Sequence, residues 1–156
     1  MKYFLHRIQM SGNTVQDGVE VHDTLDSAIL SYYGRMKTGY GRSDYNFVHC
    51  FITDENGAVD EQYNTAWSDG SELVPKFFLS HIRKDGEAFD KNIDVLDNLD
   101  SAYGNLAVQM EYGHNNPKFP NVSFVHCLIT DNHSGKTILH NRAWVKPVEP
   151  TPEPEA

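Results

Sequence analysis

Cysteine is nearly absent from this chain: Cys50 and Cys127 are the only two in 156 residues. They are too far apart in sequence for a local pair, so a disulfide-stapled scaffold is not expected and a reducing compartment fits better. Positive charge is also scarce. Lysine and arginine number 13 against 22 aspartates and glutamates, a formal net charge of -9. No basic run exceeds two residues. A sequence-independent nucleic-acid binder draws its affinity from cations that neutralise phosphates, so direct nucleic-acid binding is not expected. Long apolar runs are missing too. None approaches the ~18 residues of a membrane span, and Met1 leads into a predicted strand with no secretory-leader pattern. The spacings of an EF-hand, a phosphate loop, a dinucleotide fingerprint and a nucleophile elbow are all absent.

What the chain has is one module written twice. KYFLHRIQ, EVHDTLDSA, FVHCFITD and NTAW in residues 2–67 return as KFFLSHIR, DVLDNLDSA, FVHCLITD and NRAW in residues 76–144. The copies align without a gap from Lys2/Lys76 to Gly41/Asn115. The second then carries a three-residue insertion around Pro117–Pro120, and they realign from Phe47/Phe124 to Trp67/Trp144. About 23 of about 61 aligned pairs are identical, strong self-similarity for an internal repeat. The reading is a repeat over residues 1–67, a linker over 68–75, a second repeat over 76–145, and a proline- and glutamate-rich tail over 146–156. Units of this size are marginal alone and usually pack on a neighbour. The tail composition favours extended polyproline-type backbone that is disordered by itself.

Each repeat reads as strand, short strand, helix, strand, strand. The first strand, Tyr3–Gln9 or Phe77–Arg83, places Phe4 and Ile8, or Phe78 and Ile82, on one face. Gly12 and Gly86 mark the following turn, and a short strand is predicted at Val19–His22 and Ile93–Leu96. Thr24 and Asn98 are helix N-caps, with Asp26 and Asp100 in the first turn where negative charge meets the dipole. Leu25, Ala28, Ile29, Tyr32 and Met36 form one apolar stripe; Leu99, Ala102, Tyr103, Leu106 and Met110 form its twin. Gly39 and Gly113 are predicted as C-terminal stops. Gly34 and Gly104 weaken the helix interiors.

The third strand, Phe47–Asp54 or Phe124–Asp131, is apolar on both faces. Val48, Cys50 and Ile52 point one way; Phe47, His49, Phe51 and Thr53 point the other. A sheet covered by a helix on one side and water on the other should alternate apolar and polar residues. Both faces therefore need cover, and the two repeats supply it to each other, by packing these faces or by joining edges. The fold class that follows is α+β: a tandem duplication of a β-β-α-β-β unit, with antiparallel sheets each backed by one helix and related by a pseudo-twofold axis.

Five residue sets could carry chemistry. His49-Cys50 with His126-Cys127 invites a zinc reading, but strand neighbours point to opposite faces, so one pair cannot readily hold one metal. The same divergence leaves the Cys50 thiol without an aimed base, and a core thiol is inert. Asp23, Asp26, Asp54, Asp97, Asp100 and Asp131 have structural work at helix starts and turns. Catalytic, cofactor and metal roles are therefore not expected. The fourth set follows the helix: Tyr32, Tyr33, Arg35, Lys37, Tyr40, Arg42 and Tyr45, with Tyr112, His114, Asn115, Asn116, Lys118 and Phe119 in the second repeat. Tyrosine and arginine suit binding surfaces, and the loops differ most between the repeats here. Fifth are Trp67 and Trp144, which close their strands and either seal each core or form twin slots for a flat ligand.

The module FLxRIQ, EVHDTLDSA, FVxCxITDxxG and a closing Trp resembles small uncharacterised proteins encoded by phages and prophages of gut Firmicutes. The resemblance covers nearly the whole chain, carries no functional residues, and implies a phage-associated setting in the host cytoplasm or on the virion. The expected function is non-catalytic binding of a host macromolecule, with a protein partner and no membrane contact; a homo-oligomer remains open. A virion structural or decoration component is the first alternative, and a small-ligand sponge with twin pockets is the second.

Overall fold

The computed structural model describes residues 1–39, 44–133 and 136–148. Its first half runs β1 (Tyr3–Ser11), β2 (Thr14–His22), α1 (Leu25–Met36), β3 (Phe47–Asp54) and β4 (Val59–Ser68). The second half repeats the order as β5 (Phe77–Asp85), β6 (Ala88–Leu96), α2 (Leu99–Met110), β7 (Val122–Asp131) and β8 (His140–Val145). Each half is one antiparallel sheet, ordered β2-β1-β3-β4 and β6-β5-β7-β8. The predicted α+β duplication is thus the observed architecture.

The second strand is longer than its apolar pattern suggested. β2 pairs with β1 over its whole length, from Tyr3↔His22 to Ser11↔Thr14. Its outer part, Thr14–Gly18, is polar apart from Val15, which packs against the seam cluster; it lies on a sheet edge, where pairing needs backbone groups rather than buried side chains. The two-residue turn has Gly12 at φ +61, and Gly86 repeats it at φ +62. Glycine at the first central position is the hairpin geometry whose twist matches the strands.

Both helices start at the predicted caps. The Thr24 hydroxyl accepts from the Ser27 amide, and the Asn98 side chain accepts from that of Ser101. Their apolar stripes cover one sheet face each. Ala28, Tyr32 and Met36 pack on Leu5, Val48, Cys50 and Ile52. Ala102, Leu106 and Met110 pack on Leu79, Val125, Cys127 and Ile129. Gly39 and Gly113 are not left-handed caps: neither has positive φ. Glycine is required there by close approach instead. A Cβ on Gly39 would lie 2.9 Å from Trp67 Cε3, and one on Gly113 would lie 2.9 Å from Trp144 Cε3. In the second half the chain turns left-handed just after, at His114 (φ 59) and Asn115 (φ 55).

The second sheet faces pack on each other. One buried cluster unites Phe4, Ile8, Met10, Val19 and Phe47 with Phe78, Ile82, Ile93 and Phe124. The result is four layers, helix on sheet on sheet on helix. Equivalent contacts recur across the seam. Phe4 stacks on Phe124 at 6.2 Å and Phe47 stacks on Phe78 at 6.5 Å; these are the same pair of positions with the halves exchanged. β2 lies close to β6 at one side. At the other side the β3–β4 turn meets β8, where a Cβ on Gly57 would overlap that of Ala143. The linker is tied down by Asn132, whose amide donates to the Val74 carbonyl at 2.8 Å and whose Oδ1 accepts from the Lys76 amide at 3.0 Å.

Candidate functional site

The seam is polar at its centre. His6, His49 and His126 are buried between the sheets, at 0%, 0% and 1% exposure. His49 Nε2 donates to Asn64 Oδ1 at 2.7 Å, His126 Nε2 donates to Asn141 Oδ1 at 2.6 Å, and His6 Nε2 pairs with Thr53 Oγ1 at 2.8 Å. Burial lowers the pKa of His49 and of His126 to about 4, against the opposing influence of the asparagine bonds and of Asp131 and Asp54. Burial also takes His6 well below its ordinary value, reinforced by repulsion from His126 and His49. All three are neutral at pH 7, and each has a buried Nδ1 without a hydrogen-bond partner. Among the described residues no group of three or more His, Cys, Asp or Glu side chains is placed to hold a metal ion.

Cys50 and Cys127 lie on the helix-facing sides, away from their histidine neighbours, as strand alternation requires. Burial pushes both thiols up to about 12. A thiol held protonated is a poor nucleophile and a poor ligand.

Among the described residues the aromatic and basic set does not form one surface. Tyr32 is buried at 4% exposure with Ala28 and Met36, as its place in the apolar stripe requires, and so leaves the exposed set in which it was also counted. Arg35 turns toward β2, where its Nε lies 3.3 Å from Glu20 Oε2. Burial would raise the pKa of Glu20, but hydrogen bonds from Ser31 and His22 and the charge of Arg35 hold it below the ordinary carboxylate value. Tyr45 packs over the first core and donates to Gln16 at 3.2 Å. Tyr40 and Arg42 lie outside the described residues.

In the second half the loop residues pack on one another. Tyr112 and Phe119 meet at 4.4 Å, and the Arg83 guanidinium lies 3.9 Å from the Tyr112 ring centroid. His114 is 5.8 Å from Trp144, while Lys118 is exposed and its amide donates to Asn116 Oδ1 at 3.0 Å. Trp67 and Trp144 each lie on a glycine, Gly39 and Gly113. That is the core-sealing arrangement rather than an open slot.

Of the surface that α1 and β4 build together, the sequence reading named Tyr32, Tyr33 and Lys37 and missed Leu30 and the β4 residues Gln62, Tyr63 and Thr65. Leu30 is 78% exposed and Tyr33 is 60% exposed. They stand one helical turn apart on the face away from the sheet. Beside Tyr33 runs a cleft of about 430 Å³ lined by Tyr32, Tyr33, Met36, Lys37, Gln62 and Thr65. Tyr33 meets Tyr32 edge-on at 5.2 Å and Tyr63 at 6.4 Å, and Tyr32 meets Tyr63 at 5.6 Å. The Tyr32 hydroxyl donates to Thr65 Oγ1, fixing the floor. Tyr63 stands 30 positions from Tyr33, and only the pairing of β3 with β4 reveals their contact.

The second half does not repeat this surface. Leu30, Tyr33, Lys37, Tyr63 and Thr65 are replaced by Gly104, Ala107, Glu111, His140 and Arg142. The tyrosines of this cleft therefore have no aligned counterparts in the second half.

Fold and site together define a duplicated α+β protein with an aromatic cleft on its first half and a polar-centred seam. Comparison of the chain with protein-family models, with curated proteins and with solved structures finds no match. Among the described residues no helix is long and apolar enough to cross a membrane.

Proposed function

We propose that this protein is a non-catalytic binding protein that engages a protein partner through the α1/β4 face of its first half. The observation that carries the reading is the exposure of Leu30 and Tyr33 beside the tyrosine-lined cleft. Large aromatic and aliphatic side chains left in water next to a concave site are what interface hot spots are made of. The acidic balance of the chain favours a partner that is not itself strongly acidic. The resemblance to phage and prophage proteins supplies the setting, a host macromolecule acted on inside the infected cell. A role on the virion would use the same face. The sponge reading has less support, because both tryptophans cover glycines instead of lining twin pockets.

The test is affinity capture from infected-host lysate with full-length protein and with a Leu30→Ser/Tyr33→Ala variant whose circular dichroism is unchanged. One stoichiometric partner held by the parent and lost by the variant supports the reading. A partner held equally by both removes the site from it, and no partner for either removes the function.

A further inference from the structure

We infer that the outer face of α1 pairs with the same face of a second copy of the chain, as an antiparallel helix pair about a twofold axis. The inference rests on the reading of this face as an interface and names its occupant in the free protein. Four exposed residues carry it: Asp26, Leu30, Tyr33 and Lys37. They follow one another at intervals of 4, 3 and 4, the spacing of a coiled-coil seam. Asp26 lies in the first turn of the helix, and Lys37, its C-cap, keeps helical backbone at φ -66 and ψ -14. The four therefore form one continuous stripe, roughly 16 Å long. Leu30 and Tyr33 at its middle are 78% and 60% exposed. Among the described residues neither Asp26 nor Lys37 has an ion-pair partner in its own chain.

The order along the stripe selects the partner. Asp26 to Leu30 is the same step as Tyr33 to Lys37, so the stripe is its own complement when one copy is reversed. A twofold axis between Leu30 and Tyr33 sets Leu30 against the second copy's Tyr33, and Asp26 against the second copy's Lys37. Each contact then occurs twice, once on either side of the axis, as an isologous interface requires. A parallel pair would instead set like charge against like charge at both ends. The second half supplies the contrast: its aligned stripe is Asp100, Gly104, Ala107 and Glu111. The large apolar pair is gone there, and the reversed pairing would oppose two carboxylates. Two large side chains from each copy make a small interface, and a net charge of -9 opposes self-association. The dimer is therefore weak and concentration-dependent, and a host partner using the same face has to displace it.

Sedimentation equilibrium of the full-length protein over a concentration series tests the pairing, with circular dichroism confirming that every variant is folded. The weight-average mass of the parent should climb from monomer toward dimer. Leu30→Ala/Tyr33→Ala, which trims exposed side chains, should stay monomeric. Asp26→Lys and Lys37→Glu each set two like-charge pairs across the axis and should each weaken association about tenfold. Lys37→Glu introduces the residue that α2 already carries at this position. An equimolar mixture of the two charge variants opposes every lysine to a carboxylate and should recover the parent's association as a heterodimer. A parent that stays monomeric throughout overturns the inference. So does a dimer that survives the double truncation, or a mixture that associates no better than its components. A monomeric parent that still captures a host protein through Leu30 and Tyr33 sinks this inference alone; a dimer of this geometry with no host protein captured sinks the proposed function alone.

Discussion

Asn64 and Asn141 make the same exchange in opposite directions across the seam. Asn64 accepts from His49 of its own half and donates to the Lys136 carbonyl of the other at 2.9 Å. Asn141 accepts from His126 and donates to the Gly57 carbonyl at 3.1 Å. Each asparagine thus locks its own histidine tautomer and ties down a connection belonging to its partner half. Replacing either by leucine strands a buried ring N–H and a backbone carbonyl together. An unsatisfied buried group costs roughly 1–3 kcal/mol, so Asn64→Leu and Asn141→Leu should each lower stability by about 2–4 kcal/mol. Urea unfolding should show one transition at a lower midpoint in both, because the halves share a core. Two separate transitions would mean that the halves fold independently.

Glycines at different places should respond with opposite signs. Gly57 has φ +76 and its missing Cβ would overlap Ala143. Gly57→Ala combines backbone strain with a clash at the seam and should cost about 2–4 kcal/mol. Adding Ala143→Gly should recover the clash but not the strain. Gly34, on the exposed side of α1, has nothing within 4 Å of its missing Cβ and no positive φ. Gly34→Ala should therefore stabilise by up to about 1 kcal/mol. Melting temperatures of the three variants check the ordering.

The histidines make stability depend on pH in a defined window. His49 and His126 titrate near 4 when folded against an ordinary value of 6.5, and His6 is also held well below 6.5. Because the folded values are depressed, the unfolded chain takes up protons first. The stabilisation is complete above about pH 6.5, declines as pH falls below it, and is exhausted once pH drops below the folded values. Each shift from 6.5 to about 4 corresponds to something on the order of 3 kcal/mol. Urea midpoints should fall steadily from pH 7 to pH 4.5. His49→Gln should reduce that slope by about one proton equivalent of the three. An unchanged slope would show that carboxylates, not these rings, set the acid limit.

Much of this fold is legible in the residues themselves. The N-caps Thr24 and Asn98, the stripe through Ala28 and Met36, and the two-sided apolar strand around Cys50 each state a local requirement that the structure meets. The β2 edge is less legible, since Thr14–Gly18 buries little and needs only backbone pairing. Gly39 was open to misreading because a turn and a close approach both call for glycine, and the indole of Trp67 that decides between them lies 28 residues away. The aromatic cleft was hidden for the same reason. Tyr33 and Tyr63 belong to different elements, and no periodicity within either one signals that they meet.

Separated halves should seek partners, and the second should do so more successfully than the first. The seam cluster draws Phe4, Ile8, Met10, Val19 and Phe47 from one half and Phe78, Ile82, Ile93 and Phe124 from the other. At about 1.5–3 kcal/mol for each large side chain buried, a lone half forfeits roughly 10 kcal/mol, comparable with the whole stability of an ordinary domain. Pseudo-symmetry offers each half a substitute, since Phe4 with Phe124 and Phe47 with Phe78 are the same contact with the halves exchanged. A dimer of residues 1–70 would bury four histidines, two copies each of His6 and His49. A dimer of residues 71–148 would bury only two copies of His126, because Ser80 stands where the first half has His6. The expectation in sedimentation at pH 7 is a folded dimer of the second half, a weaker dimer of the first that dissociates as pH is lowered toward 5, and a one-to-one complex on mixing. A stable, monomeric first half would mean that its inner sheet face tolerates water, and the argument for a shared core would fail.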